Sequence, residues 1–312
     1  MAEPLIRPMR EGDLAEASRI FRVAFGTFVG KPDPESFAAD RDYVSTRWRS
    51  APEAAVVAEV DGRLAGSNLA THWGSFAFFG PLSVLPELWG RGIAQRLLEP
   101  TLDLFEAWDV REGGLFTFAN SPKHLGLYQK FGFWPGYLTA VLSKEVAAGA
   151  GRCAKFSELA ESGRVDAEDA CRRLTDSLYE GLDVSREIRA VAAQGLGETL
   201  LLWDGDLLDG FAVCHCGAGT EAGREQCAVK FAAVRAGAGV SGRLGGLLAG
   251  CEGLAAERGL RRVTAGVNTG RSGAYREMLR LGYRTELLGV AMHRPESGAY
   301  NRADVYILDD WR

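Results

Sequence analysis

Apolar residues gather in several short runs in the first half of the chain, separated by polar and turn residues, and such runs predict β-strands. Residues 5–7 predict a short strand, after which a helix begins near Gly12-Asp13. Residues 54–72 predict a hairpin with an Asp-Gly turn, and residues 75–84 predict a long apolar strand. The later predicted elements are a helix after a glycine turn, the strand "GLFTFAN" and a helix over residues 122–131. This order predicts an α/β (α+β) fold whose mixed, mostly antiparallel twisted sheet is flanked by helices.

The same pattern occurs twice along the chain. A shift of about 150 residues superimposes four features, namely Val84 on Val234, Gly92 on Gly242, Leu97-Leu98 on Leu247-Leu248, and Gly132 on Gly282. Upstream, "VAEVDGRLAG" matches "LLLWDGDLLDG", and each segment predicts a hairpin. A repeat of this length indicates two copies of one domain. We therefore predict domains over residues 1–148 and 149–312, joined in the glycine-rich stretch at 147–153.

The glycine turn "WGRGIAQ" leads into a helix with an apolar stripe, which is typical of a helix packed on a sheet. A dinucleotide-binding fingerprint would require a third glycine where Gln95 stands, and a Walker loop would require Gly-Lys-Ser/Thr. Two interpretations stay open from the turn alone. It is either an anion site made of exposed backbone N–H groups at a helix start, or a purely structural turn.

Strand, glycine loop, helix, strand and second helix together resemble the GNAT superfamily of N-acetyltransferases. The resemblance extends over residues 1–145 and, more loosely, over residues 155–312. One departure is Glu87, which stands where the family pattern has Gln or Arg. The matching residues are Val84, Pro86, Gly90, Gly92, Ile93, Ala94, Tyr128, Gly132 and Phe133.

The resemblance implies that acetyl-CoA is the bound anion and the co-substrate. Its pantetheine arm would pair with the backbone of Leu82, Ser83 and Val84, and Gly80-Pro81 independently predicts a bulge that separates the strands there. The loop implied to hold the diphosphate consists of Trp89, Gly90, Arg91, Gly92, Ile93, Ala94 and Gln95. Asn120 is implied to contact the cofactor arm, although it equally suits a plain turn. Lys123 is a candidate for a phosphate contact, the alternative being an ordinary surface lysine.

These positions suit transfer of an acetyl group to a primary amine by direct attack within a ternary complex. Tyr128 matches the family tyrosine that protonates the departing thiolate, while the helix pattern alone favours a core tyrosine. The general base is chosen as His72, with His124 and Glu59 as alternatives and an edge histidine as the plain interpretation. A non-catalytic module that binds acyl-CoA as a sensor or scaffold is the rival function.

The second copy is predicted to be degenerate. Met278 stands at the position of Tyr128, and Val240-Ser241-Gly242 replaces Gly90-Arg91-Gly92 in the gap-free alignment. Such a copy would keep the fold and help to shape the amine pocket of the first one. Three tryptophans flank the proposed site and are expected to line an apolar acceptor pocket, namely Trp73, Trp89 and Trp134.

Charge and composition narrow the partners. A net charge of −5 argues against nucleic acid or an anionic membrane as the main partner. A cytoplasmic location is expected, because the sequence contains no apolar run long enough for a membrane span. Cys214-His215-Cys216 with Cys227 is the segment most like a metal site, but its alternation favours a strand, and no metal is predicted. The expected partner is a small-molecule or peptide amine, bound by a monomer (as a pseudo-dimer) or a homodimer.

Overall fold

The computed structural model describes residues 3–146 and 151–312, in which strands and α-helices follow the predicted order. The first-half strands are β1 Leu5–Pro8, β2 Ala55–Val60, β3 Arg63–Trp73, β4 Phe76–Phe79, β5 Ser83–Val84, β6 Glu112–Thr117 and β7 Trp134–Glu145. The second-half strands are β8 Ala154–Lys155, β9 Gly197–Asp204, β10 Leu207–Gly217, β11 Gly223–Val234, β12 Arg262–Asn268, β13 Arg284–Arg294 and β14 Ile307–Leu308. The helices are α1 Leu14–Phe28, α2 Val44–Ser50, α3 Ile93–Ala107, α4 Pro122–Gln129, α5 Glu161–Leu178, α6 Ser185–Gln194, α7 Val240–Glu257 and α8 Ser272–Arg280.

The predicted fold class is confirmed. The strands form one mixed sheet in the order β1-β2-β3-β4-β6-β13-β7-β12-β11-β10-β9-β8, with β5 added to β3 and β14 added to β11. The pairs β4/β6 and β11/β12 are parallel, and the other pairs are antiparallel. No helix among the described residues is long and apolar enough to span a bilayer.

The predicted long strand over residues 75–84 is interrupted. Its first part, β4, pairs with β6 as far as Phe78 and Gly114, whereas β5 pairs with β3 on the other side of Gly80-Pro81. Gly80 has a φ of +144°, which L side chains rarely adopt, and proline has no N–H to donate to a sheet. The predicted separation of the strands at this dipeptide is therefore present.

The last strands of the two halves are exchanged. Strand β13 lies between β6 and β7, and β7 lies between β13 and β12, so each closing strand pairs with the other half. The two exchanged pairings have the same register. Ala140 pairs with Val267 in one of them. A shift of 150 residues turns this pair into Val290 and Thr117, which pair in the other. This pseudosymmetry supports the repeat seen in the sequence.

The predicted boundary between residues 148 and 149 lies outside the described residues, so the division into two domains stays a prediction. The shift of 150 residues also fails locally at the glycine turn. Helix α3 follows Gly90 and Gly92, with φ values of +81° and +79°, and α7 follows Gly237 and Gly239, with values of +102° and +81°. The structural shift here is 147 residues, and the predicted counterpart Gly242 lies inside α7.

A buried ionic group joins the two halves. The guanidinium of Arg47 on α2 donates to both carboxylate oxygens of Glu221, at 2.8 and 3.0 Å, and Lys230 Nζ lies 2.6 Å from the same carboxylate. Arg47 Nη1 also donates to the carbonyl of Gly80 at 2.6 Å. The two cations outweigh the cost of burying Glu221 and hold its pKa far below the usual range. Glu221, from the second half, thus fixes the position of Arg47, and Arg47 binds the backbone at the break between β4 and β5.

We predict that Glu221→Gln destabilises the protein by about 3 kcal/mol, because it leaves two buried cations without their counterion. The matched change Glu35→Gln, at an exposed partner of Arg19, should change the free energy of unfolding by less than about 0.5 kcal/mol. Denaturant unfolding measures both. Because its pKa is lowered, Glu221 stabilises the fold above the unfolded value of 4.5 and loses this effect as pH falls below it. Equal stability of the two variants at pH 7 would contradict the assignment.

Candidate functional site

A cleft of about 980 Å³ opens where β5 separates from β6. One wall comes from the β4–β5 segment and the glycine turn, and the opposite wall comes from the end of β6 and from α4. The remaining wall comes from α1, the segment between α1 and α2, and three residues of the second half. These acceptor-side residues, named here for their place opposite α3, are Phe21, Ala24, Phe25, Phe28, Val29, Phe37, Ala38, Arg41, Tyr43, Leu287, Trp311 and Arg312.

Strand β5 directs part of its backbone into this cleft. The N–H of Leu85 donates to the carbonyl of Ala65 on β3 at 2.9 Å, so the alternating neighbours Leu82 and Val84 turn their backbone groups away from β3. Both residues line the cleft, whereas Ser83 is buried and does not line it, and their pairing with the pantetheine arm stays a prediction. The carbonyl of Val84 accepts a hydrogen bond from Trp89 Nε1 at 2.7 Å.

The glycine turn presents unpaired backbone donors to the cleft. Gly92 is the N-cap of α3 without a side-chain cap, so the first N–H groups of the helix have no intrahelical acceptor. A Cβ at Gly90 would meet no described atom within 4 Å, so the positive φ, and not crowding by the chain, favours glycine there. Of the seven predicted loop residues, six line the cleft and Arg91 is exposed outside its lining. Glu87 is also exposed and outside the lining, as is consistent with an anion site.

Helix α4 begins as the sequence predicts, with Ser121 as N-cap and Pro122 as the first helical residue. The Ser121 hydroxyl accepts a hydrogen bond from the N–H of His124 at 3.4 Å. Lys123 lines the cleft, and its Nζ lies 4.9 Å from the centroid of the Trp89 ring, within cation–π distance. Asn120 lies in an exposed turn beyond the end of β6 and outside the cleft lining, so its contact with the cofactor arm stays a prediction.

Tyr128 is buried at the cleft wall, with its ring 5.8 Å from that of Phe79. Thr117, at the end of β6, lines the cleft beside it. Burial raises the pKa of Tyr128 well above its usual value of 10, so the phenol keeps its proton at neutral pH. Its geometry and its protonation state both fit a general acid.

The structure does not bring His72 to Tyr128. The His72 ring stacks on Trp108, the C-cap of α3, at 4.7 Å, and it lines a small separate cavity. This is the opposite end of a 15-residue helix from the glycine turn, roughly 22 Å along its axis. Glu59 is held in an ion pair with Arg7 near the first hairpin turn and does not line the cleft. His72 therefore lies outside the cleft, and its choice as the general base stays a prediction that this geometry does not support.

His124, one of the two alternative bases, does line the cleft. It lies one turn before Tyr128 on the same helix face, and both residues line the cleft. Its ring packs against Phe28 with a centroid distance of 4.7 Å, and its buried Nδ1 has no hydrogen-bond partner among residues 3–146 and 151–312. Burial lowers the pKa of His124 below its usual 6.5, so the imidazole is neutral at pH 7 and can accept a proton.

The aromatic residues at the acceptor side differ from those predicted. Trp73 is fully buried against Phe231 of the second half, and Trp134 is exposed on β7, so only Trp89 of the three predicted tryptophans lines the cleft. The wall instead uses phenylalanines. Their i, i+4, i+7 spacing at residues 21, 25 and 28 was visible in the sequence. No local pattern could place Trp311 and Arg312 there, because they come from the far end of the chain.

The cysteine segment lies away from the cleft. Cys214 and Cys216 share one face of β10, and His215 points to the other face. Cys214 Sγ lies 3.8 Å from Cys251 Sγ, and all six cysteines are free thiols. In the described part of the chain, no group of three or more His, Cys, Asp or Glu residues is arranged to hold a metal ion.

The corresponding part of the second half contains a strand of its own. Strand β14 pairs with β11, so that Leu308 lies opposite Ala232 and Ile307 opposite Ala233, and the N–H of Val234 donates to the carbonyl of Tyr306 at 3.2 Å. Under the 150-residue shift, Ala232 to Val234 are the counterparts of Leu82 to Val84. The position that is open in the first half is therefore filled by the chain itself in the second. Met278, the counterpart of Tyr128, is fully buried.

Comparison with known proteins agrees with this architecture. Residues 17–133 match the model of the acetyltransferase (GNAT) family. This region is therefore similar to a GNAT acetyltransferase domain. A search among curated proteins finds no match to the chain.

The fold of the whole chain, including the part beyond this GNAT-like domain, resembles solved structures. A putative acetyltransferase from Pyrococcus horikoshii matches with a TM-score of 0.68 at 14% identity, over 97% of this chain and 93% of that one. A GCN5-related N-acetyltransferase from Sphaerobacter thermophilus matches with a TM-score of 0.61 at 16% identity, over 93% and 95% of the chains. A GCN5-related glucosamine N-acetyltransferase region of a fungal multi-domain β-N-acetylglucosaminidase gives 0.64 at 14% identity, over 94% and 38%. At such identities the likeness concerns the fold.

Proposed function

We propose that the GNAT-like domain is an N-acetyltransferase that transfers the acetyl group of acetyl-CoA to a primary amine by direct attack in a ternary complex. The observation that carries the proposal is the cleft between β5 and β6, where free helix N–H groups, free strand backbone and Tyr128 share one lining. The family match over residues 17–133 supports the choice of acetyl-CoA as the co-substrate.

The cleft residues fit an elongated ligand with an anionic part. The N–H groups at the start of α3 and the ammonium of Lys123 suit a diphosphate, because both present positive charge without a carboxylate in the lining beside them. The backbone of Leu82 and Val84 suits an amide-bearing arm that extends the sheet. The carbonyl of Val84 already accepts from the Trp89 indole, and its second lone pair can accept from such an arm.

Two side chains suit the proton transfers of this reaction. The amine nitrogen attacks the thioester carbonyl carbon, a C–N bond forms, and the C–S bond breaks with its electron pair leaving on sulfur. His124, neutral at pH 7, receives the proton that the amine loses. Tyr128, which keeps its proton, supplies one to the thiolate.

We further propose that the second half is a degenerate copy without a transfer site. The segment Tyr306–Leu308 pairs with the strand positions that would hold the cofactor arm, and Met278 cannot donate a proton. The pseudosymmetric exchange of β7 and β13 agrees with a monomer that acts as a pseudo-dimer, and homodimerisation remains the other prediction. A cytoplasmic location also remains a prediction.

The rival function is a non-catalytic module that binds acyl-CoA. Release of free thiol from acetyl-CoA in the presence of a panel of amines separates the two functions. Amine-dependent thiol release supports the transferase, whereas calorimetric binding of acetyl-CoA without turnover on any amine supports the module.

We predict that the protein binds one equivalent of acetyl-CoA and that Gly92→Ala weakens binding by about tenfold or more. A Cβ at a φ of +79° disturbs the N–H groups that face the diphosphate, and losing one hydrogen bond to a charged group costs about 1.5–3 kcal/mol. The control is Gly62→Ala, which has the same conformation (φ +75°) and open space in the first hairpin turn. Both variants should lose about 1–2 kcal/mol of stability, and only Gly92→Ala should lose affinity in calorimetry. Equal affinities would refute the anion site.

Tyr128→Phe should lower kcat by about a hundredfold and leave the affinity for acetyl-CoA nearly unchanged, because it removes the acidic proton and keeps the ring. The ring of residue 128 stays in the cleft wall in this variant, so the proposed contacts of acetyl-CoA with the wall are kept. Steady-state kinetics and calorimetry on the same preparation measure the two quantities. Unchanged kcat across the pH range would remove Tyr128 from the mechanism.

The pH dependence should identify the base. Because burial lowers the pKa of His124, kcat/KM should be level at neutral pH and fall as pH drops through a value below 6.5, where the imidazole gains its proton. His124→Gln should reduce kcat/KM and abolish this acidic limb. His72→Gln is the matched control, since the pKa of His72 is also lowered by burial but its ring lies outside the cleft. Loss of the limb in His72→Gln alone would overturn the assignment.

A further inference from the structure

The charges that line the cleft all have one sign. The described lining residues include Arg41, Lys123, Lys130 and Arg312, and none of them is Asp or Glu. Lys123 and Lys130 lie on or next to α4, beside the proposed cofactor, whereas Arg41 and Arg312 lie at the acceptor side. An amine substrate that carries additional positive charges therefore finds no carboxylate among these lining residues to neutralise them.

Arg41 differs from Arg312 in how its charge is compensated. The guanidinium of Arg312 forms two hydrogen bonds with Asp310, at 2.9 and 3.0 Å. Half-buried Arg41 donates to the hydroxyl of Tyr43 at 3.4 Å, and no described carboxylate lies within 4.0 Å of it. Its acidic neighbours in sequence form no ion pair with it: Asp42 accepts from the N–H of Ser45, and Asp40, which lies beside Arg41 near Gly223, accepts from the N–H of Arg224.

The rest of the acceptor side is aromatic and apolar. Phe21 and Phe25 lie 4.9 Å apart, and Phe25 stacks on Phe37 at 5.8 Å. Phe28 contacts Phe118 at the end of β6 at 4.6 Å and so joins this wall to the reacting end of the cleft. Tyr43 continues the wall toward Arg41, with its ring 5.5 Å from Phe21. The wall buries hydrocarbon or ring surface and offers no compensation for a polycation.

We infer that the acceptor is an amine that also carries a carboxylate and an apolar, preferably aromatic, group, as an aromatic amino acid does. Arg41 binds the carboxylate through charge-assisted hydrogen bonds, and the phenylalanine wall covers the apolar group. Polyamines and other polycationic amines are excluded by the same charges. This inference rests on the proposed function, since it names the acceptor class of that site.

Binding to the full-length protein in the presence of free CoA tests the acceptor class without requiring turnover. Phenylalanine is compared by calorimetry with phenylalaninamide, which lacks the carboxylate, and with spermidine, which is polycationic. We expect phenylalanine to bind at least about tenfold more tightly than either compound, from one charge-assisted interaction.

Variants of Arg41 provide the second comparison. Arg41→Gln should abolish the preference for phenylalanine over phenylalaninamide, and Arg41→Lys should restore part of it. Arg63→Gln, at an exposed site in the first hairpin outside the cleft, should keep the full preference. In turnover, Arg41→Gln should raise KM for phenylalanine and leave kcat nearly unchanged.

The outcomes separate this inference from the proposed function. Tighter binding of spermidine or phenylalaninamide, or an unaltered preference in Arg41→Gln, overturns the acceptor class even if the protein acetylates amines. Selective binding of phenylalanine that depends on Arg41, without thiol release from acetyl-CoA, upholds the carboxylate site and overturns the transferase.

Discussion

Backbone pairing between β4 and β6 ends at Phe78 and Gly114, whereas pairing with β3 continues past Gly80-Pro81 into β5. The loss of the β6 pairing leaves backbone groups of β5 and of the end of β6 without a partner strand on this side. A sheet with such a gap has to satisfy its polar groups in another way, because an unpaired buried amide or carbonyl is costly. The indole of Trp89 already satisfies one carbonyl, that of Val84. The remaining groups create the chemistry of the cleft.

The gap is held open by residues from both halves of the molecule. Arg47 binds the carbonyl of Gly80, and its own position depends on Glu221 from the second half. Strand β13 covers the other side of β6, and Trp311 with Arg312 closes the acceptor side. In the second half, β14 occupies the position at β11 that corresponds to the cleft, and residues of this half help to build the cleft of the first half. Its contribution is to position groups that line this cleft.

Local sequence patterns predicted the elements and most of the cleft lining beside the glycine turn. The glycine turn, Leu82, Val84, Lys123 and Tyr128 lie together as expected, because one strand–turn–helix unit and the helix that follows the next strand fix their spacing. The place of His72 could not be predicted, because its position on a strand gives no information about which end of α3 it faces. Aligning Gly242 with Gly92 failed because three residues are missing from the second turn, and a gap-free shift cannot show this. Trp311 and Arg312 were missed because contacts over such a distance in sequence leave no periodic signal.

The exchange of β7 and β13 bears on how this chain came about. Two identical subunits that trade their final strands form a closed pair in which neither is complete alone, and joining the genes end to end preserves every strand contact. After fusion each copy mutates independently. One site can therefore lose its function while the strand pairing that joins the two copies is kept. A duplicated protein of this kind inherits a ready-made scaffold around its surviving site, and selection can reshape the idle copy as a wall for new acceptors.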